Sequence, residues 1–161
     1  MFIDTHGDRI ISLSSVNFPD YFIRHSSYQG YISPITTDVD KQDATFIVRR
    51  DLRTLWQDKF NTISLEAINF LGYFLVVQDG LLNLVKIDAD SDYSLKDKAS
   101  FEVYEEDGII SLGTAKGLWD QDGELYIRQE SYRLKFDRKD DSAVFEQDRR
   151  FKVEEPQWVI Y

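Results

Sequence analysis

Apolar positions in this chain fall in short runs of period two, as in Ile11-Ser12-Leu13, Phe46-Ile47-Val48, Leu82-Asn83-Leu84-Val85-Lys86-Ile87 and Arg133-Leu134-Lys135-Phe136. Alternation of this kind places one row of side chains on a core and predicts strands. The stretch 51–60 differs: Leu52, Leu55 and Trp56 share a helical face. It is read as one or two helical turns connecting two strand-rich parts.

The strand pattern occurs three times. A first copy runs from Ile11-Ser12-Leu13 through Tyr21-Phe22-Ile23-Arg24-His25 to Asp43-Ala44-Thr45-Phe46-Ile47-Val48. A second runs from Ile63-Ser64-Leu65 through Phe74-Leu75-Val76-Val77 to Lys98-Ala99-Ser100-Phe101. A third runs from Ile110-Ser111-Leu112 through Leu125-Tyr126-Ile127-Arg128-Gln129 to Asp148-Arg149-Arg150-Phe151. Ser12, Ser64 and Ser111 are 52 and 47 positions apart, and Phe46, Phe101 and Phe151 are 55 and 50 apart. Turn chemistry falls at one phase of each copy, at Ser27-Tyr28-Gln29-Gly30, Gln78-Asp79-Gly80 and Gln129-Glu130-Ser131, with glycine expected to supply positive φ.

Each unit therefore holds about four strands around a central hairpin. One such unit cannot bury its own apolar face, and three closing around a pseudo-threefold axis remove most open sheet edges. The expectation is an all-β fold, a β-trefoil with three pseudo-repeated four-strand units roughly at 9–52, 61–106 and 108–155, in one domain over 1–161. A β-sandwich matches the strand count but gives no reason for the repeat. The tail 154–161 is expected to return beside the first strand and close the barrel.

Composition narrows the function. The formal charge of −10 repels phosphate backbones and anionic lipid surfaces, so neither nucleic acid nor membrane is an expected partner. There is no cysteine, which excludes disulfides, thiolate metal sites and sulfur redox chemistry. No run of about 18 apolar residues occurs, and the first residues lack a secretory pattern. The expected compartment is cytoplasmic by default, or extracellular for a domain excised from a secreted enzyme.

Asp88-Ala89-Asp90-Ser91-Asp92 resembles the start of a calcium loop, but Tyr93 and Ala99 stand where the turn glycine and bidentate glutamate belong, so it is read as a solvated loop. Phosphate-cradling glycine loops, nucleophile elbows and histidine clusters for zinc are missing from the sequence. No metal, cofactor or catalytic residue is assigned. With 29 acidic residues, composition nominates no carboxylate pair for glycoside hydrolysis.

Ser15-Val16-Asn17-Phe18-Pro19, then Tyr21-Phe22-Ile23-Arg24-His25, then Asp43-Ala44-Thr45-Phe46 resembles the repeat of the arabinose-binding modules of α-L-arabinofuranosidase B. The resemblance implies a non-catalytic β-trefoil binding arabinofuranose side chains of hemicellulose, with up to one pocket per unit. It implies ligand-contacting roles for His25 and Asp43. The second unit departs from the motif, with Val77 and Lys98 at those positions. The third keeps Asp148 but has Gln129 for the histidine and Arg149 for the alanine, implying an altered pocket.

Chemically, a carboxylate accepts from neighbouring hydroxyls, an imidazole serves another, and an aromatic wall covers the sugar's C–H face. Tyr28 and Tyr31 are the candidates for that wall. Structural duties compete for the same residues: His25 can hydrogen-bond internally and Asp43 can cap a turn. Asn17 and Pro19 are read as shaping a loop, and Arg24 and Arg128 as surface residues or carboxylate partners.

The sequence thus points to a carbohydrate-binding module using chiefly its first repeat, free-standing or accessory to a glycoside hydrolase. The alternative is a degenerate trefoil that recognises a protein partner.

Overall fold

The computed structural model describes residues 9–50, 52, 62–114 and 124–159. The helical turn expected over 51–60 lies outside the described residues, apart from Leu52. Four strands form the first unit: β1 (Arg9–Ser15), β2 (Phe22–Ser26), β3 (Gln29–Ser33) and β4 (Phe46–Arg49), with the helical turn α1 (Asp38–Asp43) before the last. The second has β5 (Thr62–Ala67), β6 (Tyr73–Gln78), β7 (Leu81–Lys86), α2 (Tyr93–Asp97) and β8 (Phe101–Glu106). The third has β9 (Ile109–Gly113), β10 (Leu125–Glu130), β11 (Arg133–Arg138), α3 (Ala143–Asp148) and β12 (Phe151–Glu154).

The fold is all-β, and its pairings close on themselves. β1 pairs with β4 and β12, β4 with β5, β5 with β8, β8 with β9, and β9 with β12, so six strands form a ring. The hairpins β2–β3, β6–β7 and β10–β11 also pair with one another through β3, β7 and β11, capping one end of the ring. Beyond β12 the tail continues along β1 and β4, where the Gln157 and Trp158 backbone N–H groups donate to Ser12 Oγ and Thr45 Oγ1. Among the described residues no helix is long and apolar enough to cross a membrane.

The alternating positions of the sequence fill the core in matched sets: Ile11, Ile63 and Ile110; Leu13, Leu65 and Leu112; Phe46, Phe101 and Phe151. All nine are essentially inaccessible to solvent. Each set comes from one register position in three units, so the ring interior is packed in layers; a second, smaller apolar cluster of Phe74, Val76, Ile87 and Ala99 lies apart from it.

The cap corrects the expected turn chemistry. Positive φ falls at Ser27-Tyr28, Asp79-Gly80 and Ser131-Tyr132, giving two-residue turns at the same place in each unit. Gly30 is not a turn residue. It lies in β3, where a Cβ would stand 3.1 Å from Leu134 Cδ1 and 3.2 Å from the Leu82 carbonyl oxygen. A glycine is needed there because three hairpins converge, not because the chain reverses. For tyrosine a positive φ is strained by roughly 1–3 kcal/mol. The surroundings hold it, since the turn carbonyls of Tyr28, Gly80 and Tyr132 each accept from the next hairpin, from Leu84, Phe136 and Ile32 N–H.

Arg133 fastens the cap. Its Nη1 donates to the carbonyls of Gly30 and Leu82, both at 2.7 Å, and to that of Leu134 at 3.3 Å; Nη2 donates to Asn83 Oδ1 at 2.8 Å. Those three carbonyls are equivalent positions of the three units, so one guanidinium joins all three hairpins. Burial lowers its pKa, partly offset by Tyr31. Arg133→Met, which keeps the stem but strips the donors, is expected to lower unfolding free energy by about 2 kcal/mol in urea titration. No change in the midpoint would show that the guanidinium does not hold the cap.

Candidate functional site

The local sequence Thr37-x-x-Asp40 builds the first part of the site. Thr37 Oγ1 accepts from Asp40 N–H at 3.1 Å while Asp40 Oδ2 accepts from Thr37 N–H at 3.2 Å, a reciprocal cap that starts α1. The helix lasts about one turn and ends on Asp43, delivering its carboxylate to the edge of β2. Arg24 receives it there, with Nη2 donating to Asp43 Oδ2 at 2.6 Å and Nη1 to Asp40 Oδ1 at 3.0 Å.

His25 meets the same carboxylate through a residue of the second unit. Asn69 Nδ2 donates to Asp43 Oδ1 at 2.8 Å, and Asn69 Oδ1 lies 2.8 Å from His25 Nε2. An ionised carboxylate only accepts, so the amide NH2 faces Asp43 and the amide oxygen faces His25. Nε2 therefore carries a proton, and in the neutral ring Nδ1 is the acceptor. His25 Nε2 is also 3.5 Å from Asp43 Oδ1. Only 3% of His25 and 6% of Asp43 is exposed.

The third unit repeats this arrangement. Ser142 caps α3, which ends on Asp148. Arg128 Nη2 donates to Asp148 Oδ2 at 2.6 Å, Gln129 Nε2 to Oδ1 at 2.6 Å, and Asn17 Nδ2 to Oδ1 at 2.8 Å. Gln129 Oε1 accepts from Tyr132 N–H at 3.3 Å. Asp148 and Gln129, two sequence candidates, are thus brought together. The asparagine again comes from the next unit around the ring, here the first, while Gln129 reaches the aspartate directly.

Asn17, expected to shape a loop, and Asn69, which the sequence does not single out, both donate to a site carboxylate. Their signal is that each follows its repeat serine by five positions and precedes a phenylalanine, at Ser12/Asn17-Phe18 and Ser64/Asn69-Phe70.

In the second unit, Val77 and Lys98 line an open cleft of ≈ 550 Å³ with Asp79, Asp92 and Asn83. Asp92 caps α2, accepting from Leu95 N–H. No group of three or more potential metal ligands gathers among the described residues.

Each polar cluster has an aromatic edge. Phe70 stands edge-on to His25 with centroids 5.4 Å apart, and Tyr28, Phe70 and Tyr73 are mutually about 6.0 Å apart. Their counterparts Tyr132, Phe18 and Tyr21 lie 5.2–5.5 Å apart, with Tyr21 and Tyr132 stacked. Tyr31, the other candidate wall, lines a cleft with Arg24, Ser26 and Ser27; its ring lies 5.2 Å below the Arg133 guanidinium, and its hydroxyl donates to Gln29 Oε1.

Backbone hydrogen bonds from Thr36 and Thr37, aided by the Thr37 hydroxyl and Arg24, hold the Asp40 carboxyl down to about 2. A folded-state value below the unfolded one, roughly 3.9, contributes stability that is full above that value and lost as pH falls through the folded one. The α1 clamp is therefore expected to persist at pH 4 and to weaken between about pH 4 and 2. Carboxyl-carbon NMR titration of Asp40 checks this: a midpoint near 4 would show that the reciprocal cap is not formed.

Comparison with known families matches the Alpha-L-arabinofuranosidase B (ABFB) domain to residues 2–48 and 63–157. Similar solved structures include a GH54 α-L-arabinofuranosidase soaked with a cyclic sulfate inhibitor, at 18% identity and TM-score 0.77, covering 97% of this chain and 32% of that one. An arabinofuranosidase complexed with arabinofuranosyl-α-1,2-xylobiose matches at 17% identity and TM-score 0.76, covering 96% and 32%. The designed threefold-symmetric protein ThreeFoil matches at 8% identity and TM-score 0.59, covering 91% and 98%. The chain thus spans about a third of the length of those enzymes. Comparison with curated proteins gave no match.

Proposed function

The chain belongs to the α-L-arabinofuranosidase B domain family, and from that premise we propose that it is a single non-catalytic β-trefoil that binds arabinofuranosyl side chains of hemicellulose. Two sites are proposed. One comprises Asp43, His25, Asn69 and Arg24; the other comprises Asp148, Gln129, Asn17 and Arg128. The observation that carries this reading is the recurrence of one aspartate–arginine–asparagine arrangement, bordered by phenylalanine, across two of three unit boundaries.

The chemistry suits a neutral sugar. Arginine neutralises the buried aspartate and fixes it, while the remaining carboxylate lone pairs accept from adjacent hydroxyls. The imidazole in one site and the amide in the other supply further polar contacts. Phe70 and Phe18 offer apolar faces to the ring's C–H groups. The second unit, with Val77 and Lys98, has no aspartate at the matching position, and no sugar site is proposed there.

A small sugar making few contacts binds weakly, and two sites on one chain raise retention on a substituted polysaccharide. The proposed role is accordingly to hold the chain, or an enzyme joined to it, on arabinose-bearing polymer. A protein-recognition role has less support: outside the aromatic edges the exposed large apolar residues described are Ile10, Val39, Leu71, Tyr93, Tyr104, Val144 and Val159, which come from seven different segments of the chain.

Binding to arabinoxylan and to unsubstituted xylan by calorimetry tests the reading. Wild type is expected to bind only the arabinoxylan. Asn69→Ala and Asn17→Ala, each removing a charge-assisted hydrogen bond, are expected to weaken it roughly tenfold, and the double variant to abolish it. Lys98→Ala is expected to have no effect. Asparagine variants are preferred to Asp148→Ala, which strands a buried guanidinium at a cost of about 3–5 kcal/mol. Equal binding of both polymers, or undiminished binding by the double variant, would exclude the assignment.

A further inference from the structure

Resting on that reading, we propose that Tyr28, with Phe70 and Tyr73, forms a second subsite beside the first pocket that holds the six-membered sugar ring to which the pocket's five-membered sugar is linked.

The argument begins with the backbone. Tyr28 has φ +61 and Tyr132 has φ +69, a region bulky L residues rarely adopt. The fold needs the turn but not the tyrosine. In the second unit the same position is Gly80, φ +77, and its carbonyl makes the same bond to the next hairpin as those of Tyr28 and Tyr132. Burial does not explain the side chain either, since Tyr28 is 55% exposed and Tyr132 44%. A strained, exposed ring is present in the two units that retain the aspartate. It is replaced by glycine in the unit that has Lys98 instead. The tyrosine therefore accompanies the polar site, not the fold.

Position supplies the occupant. Phe70 touches both His25 and Tyr28, with centroids 5.4 and 6.0 Å apart, so the aromatic set continues the first polar cluster outward. A sugar seated against Asp43 and His25 with its glycosidic bond toward this edge would bring the linked ring against the aromatic set. The C–H face of a pyranose fits exposed aromatic faces, and a neutral ring needs no counter-charge. Tyr28 and Tyr73 are inclined by 37°, so the 55% exposed Tyr28 ring is not stacked on its neighbour, whereas Tyr21 and Tyr132 are stacked at 19°. The first site is therefore the one that gains from a second ring.

Calorimetry with methyl α-L-arabinofuranoside and with an arabinofuranosyl-substituted xylo-oligosaccharide separates pocket from subsite, using the full chain carrying Asn17→Ala to silence the other site. The oligosaccharide is expected to bind roughly tenfold more tightly. Tyr28→Gly is expected to remove that preference by weakening the oligosaccharide more than the monosaccharide, and to unfold at the same or a higher temperature; Tyr28→Phe is expected to keep the preference. Equal affinities for the two ligands, equal weakening of both by Tyr28→Gly, or a lowered unfolding temperature of that variant would overturn the subsite and leave the pocket standing. Binding of neither ligand would overturn the pocket and the subsite together.

Discussion

A nearly buried aspartate paired with an arginine organises this molecule's candidate chemistry. Asp43 and Asp148 each end a one-turn helix, and each is held from its own unit by an arginine and from the next by an asparagine. A carboxylate so enclosed is tolerated only when paired and hydrogen-bonded. The arginine meets the charge requirement, and the asparagine makes the arrangement depend on closure of the ring. The site is thus a product of the assembled fold. No single unit contains it.

The same dependence explains what the sequence revealed. Strands were legible because period-two alternation reports a half-buried sheet, and the threefold pattern of Ile, Leu and Phe positions reports the layered core. Asp43 and His25 were nominated through a local motif. Asn69 and Asn17 were not, because their partners lie 26 and 131 positions away and no local pattern encodes a contact across a unit boundary. The helical turns α1, α2 and α3 were missed because one turn is too short to show a 3.6 period, leaving only caps such as Thr37, Asp92 and Ser142 as signals. The turn residues were misplaced at Gly30 because glycine is the usual owner of positive φ, a role here taken by two tyrosines.

The three units have diverged in chemistry while keeping one scaffold. Ring pairing, cap pairing and the turn-carbonyl bonds recur in all three, including the second, where Val77 and Lys98 replace the polar pair. Backbone geometry therefore does not require the site residues, which leaves them free to change. Gln129 illustrates a milder change: it substitutes an amide for the imidazole of His25 yet still reaches the aspartate.

The central claim is that sugar recognition is built across unit boundaries at Asp43 and Asp148. A crystal structure of the chain soaked with methyl α-L-arabinofuranoside tests it most directly. The account predicts sugar hydroxyls within hydrogen-bonding distance of Asp43 and Asp148, with Asn69 and Asn17 still donating to those carboxylates. Sugar bound instead in the Val77–Lys98 cleft, with both aspartates untouched, would contradict it.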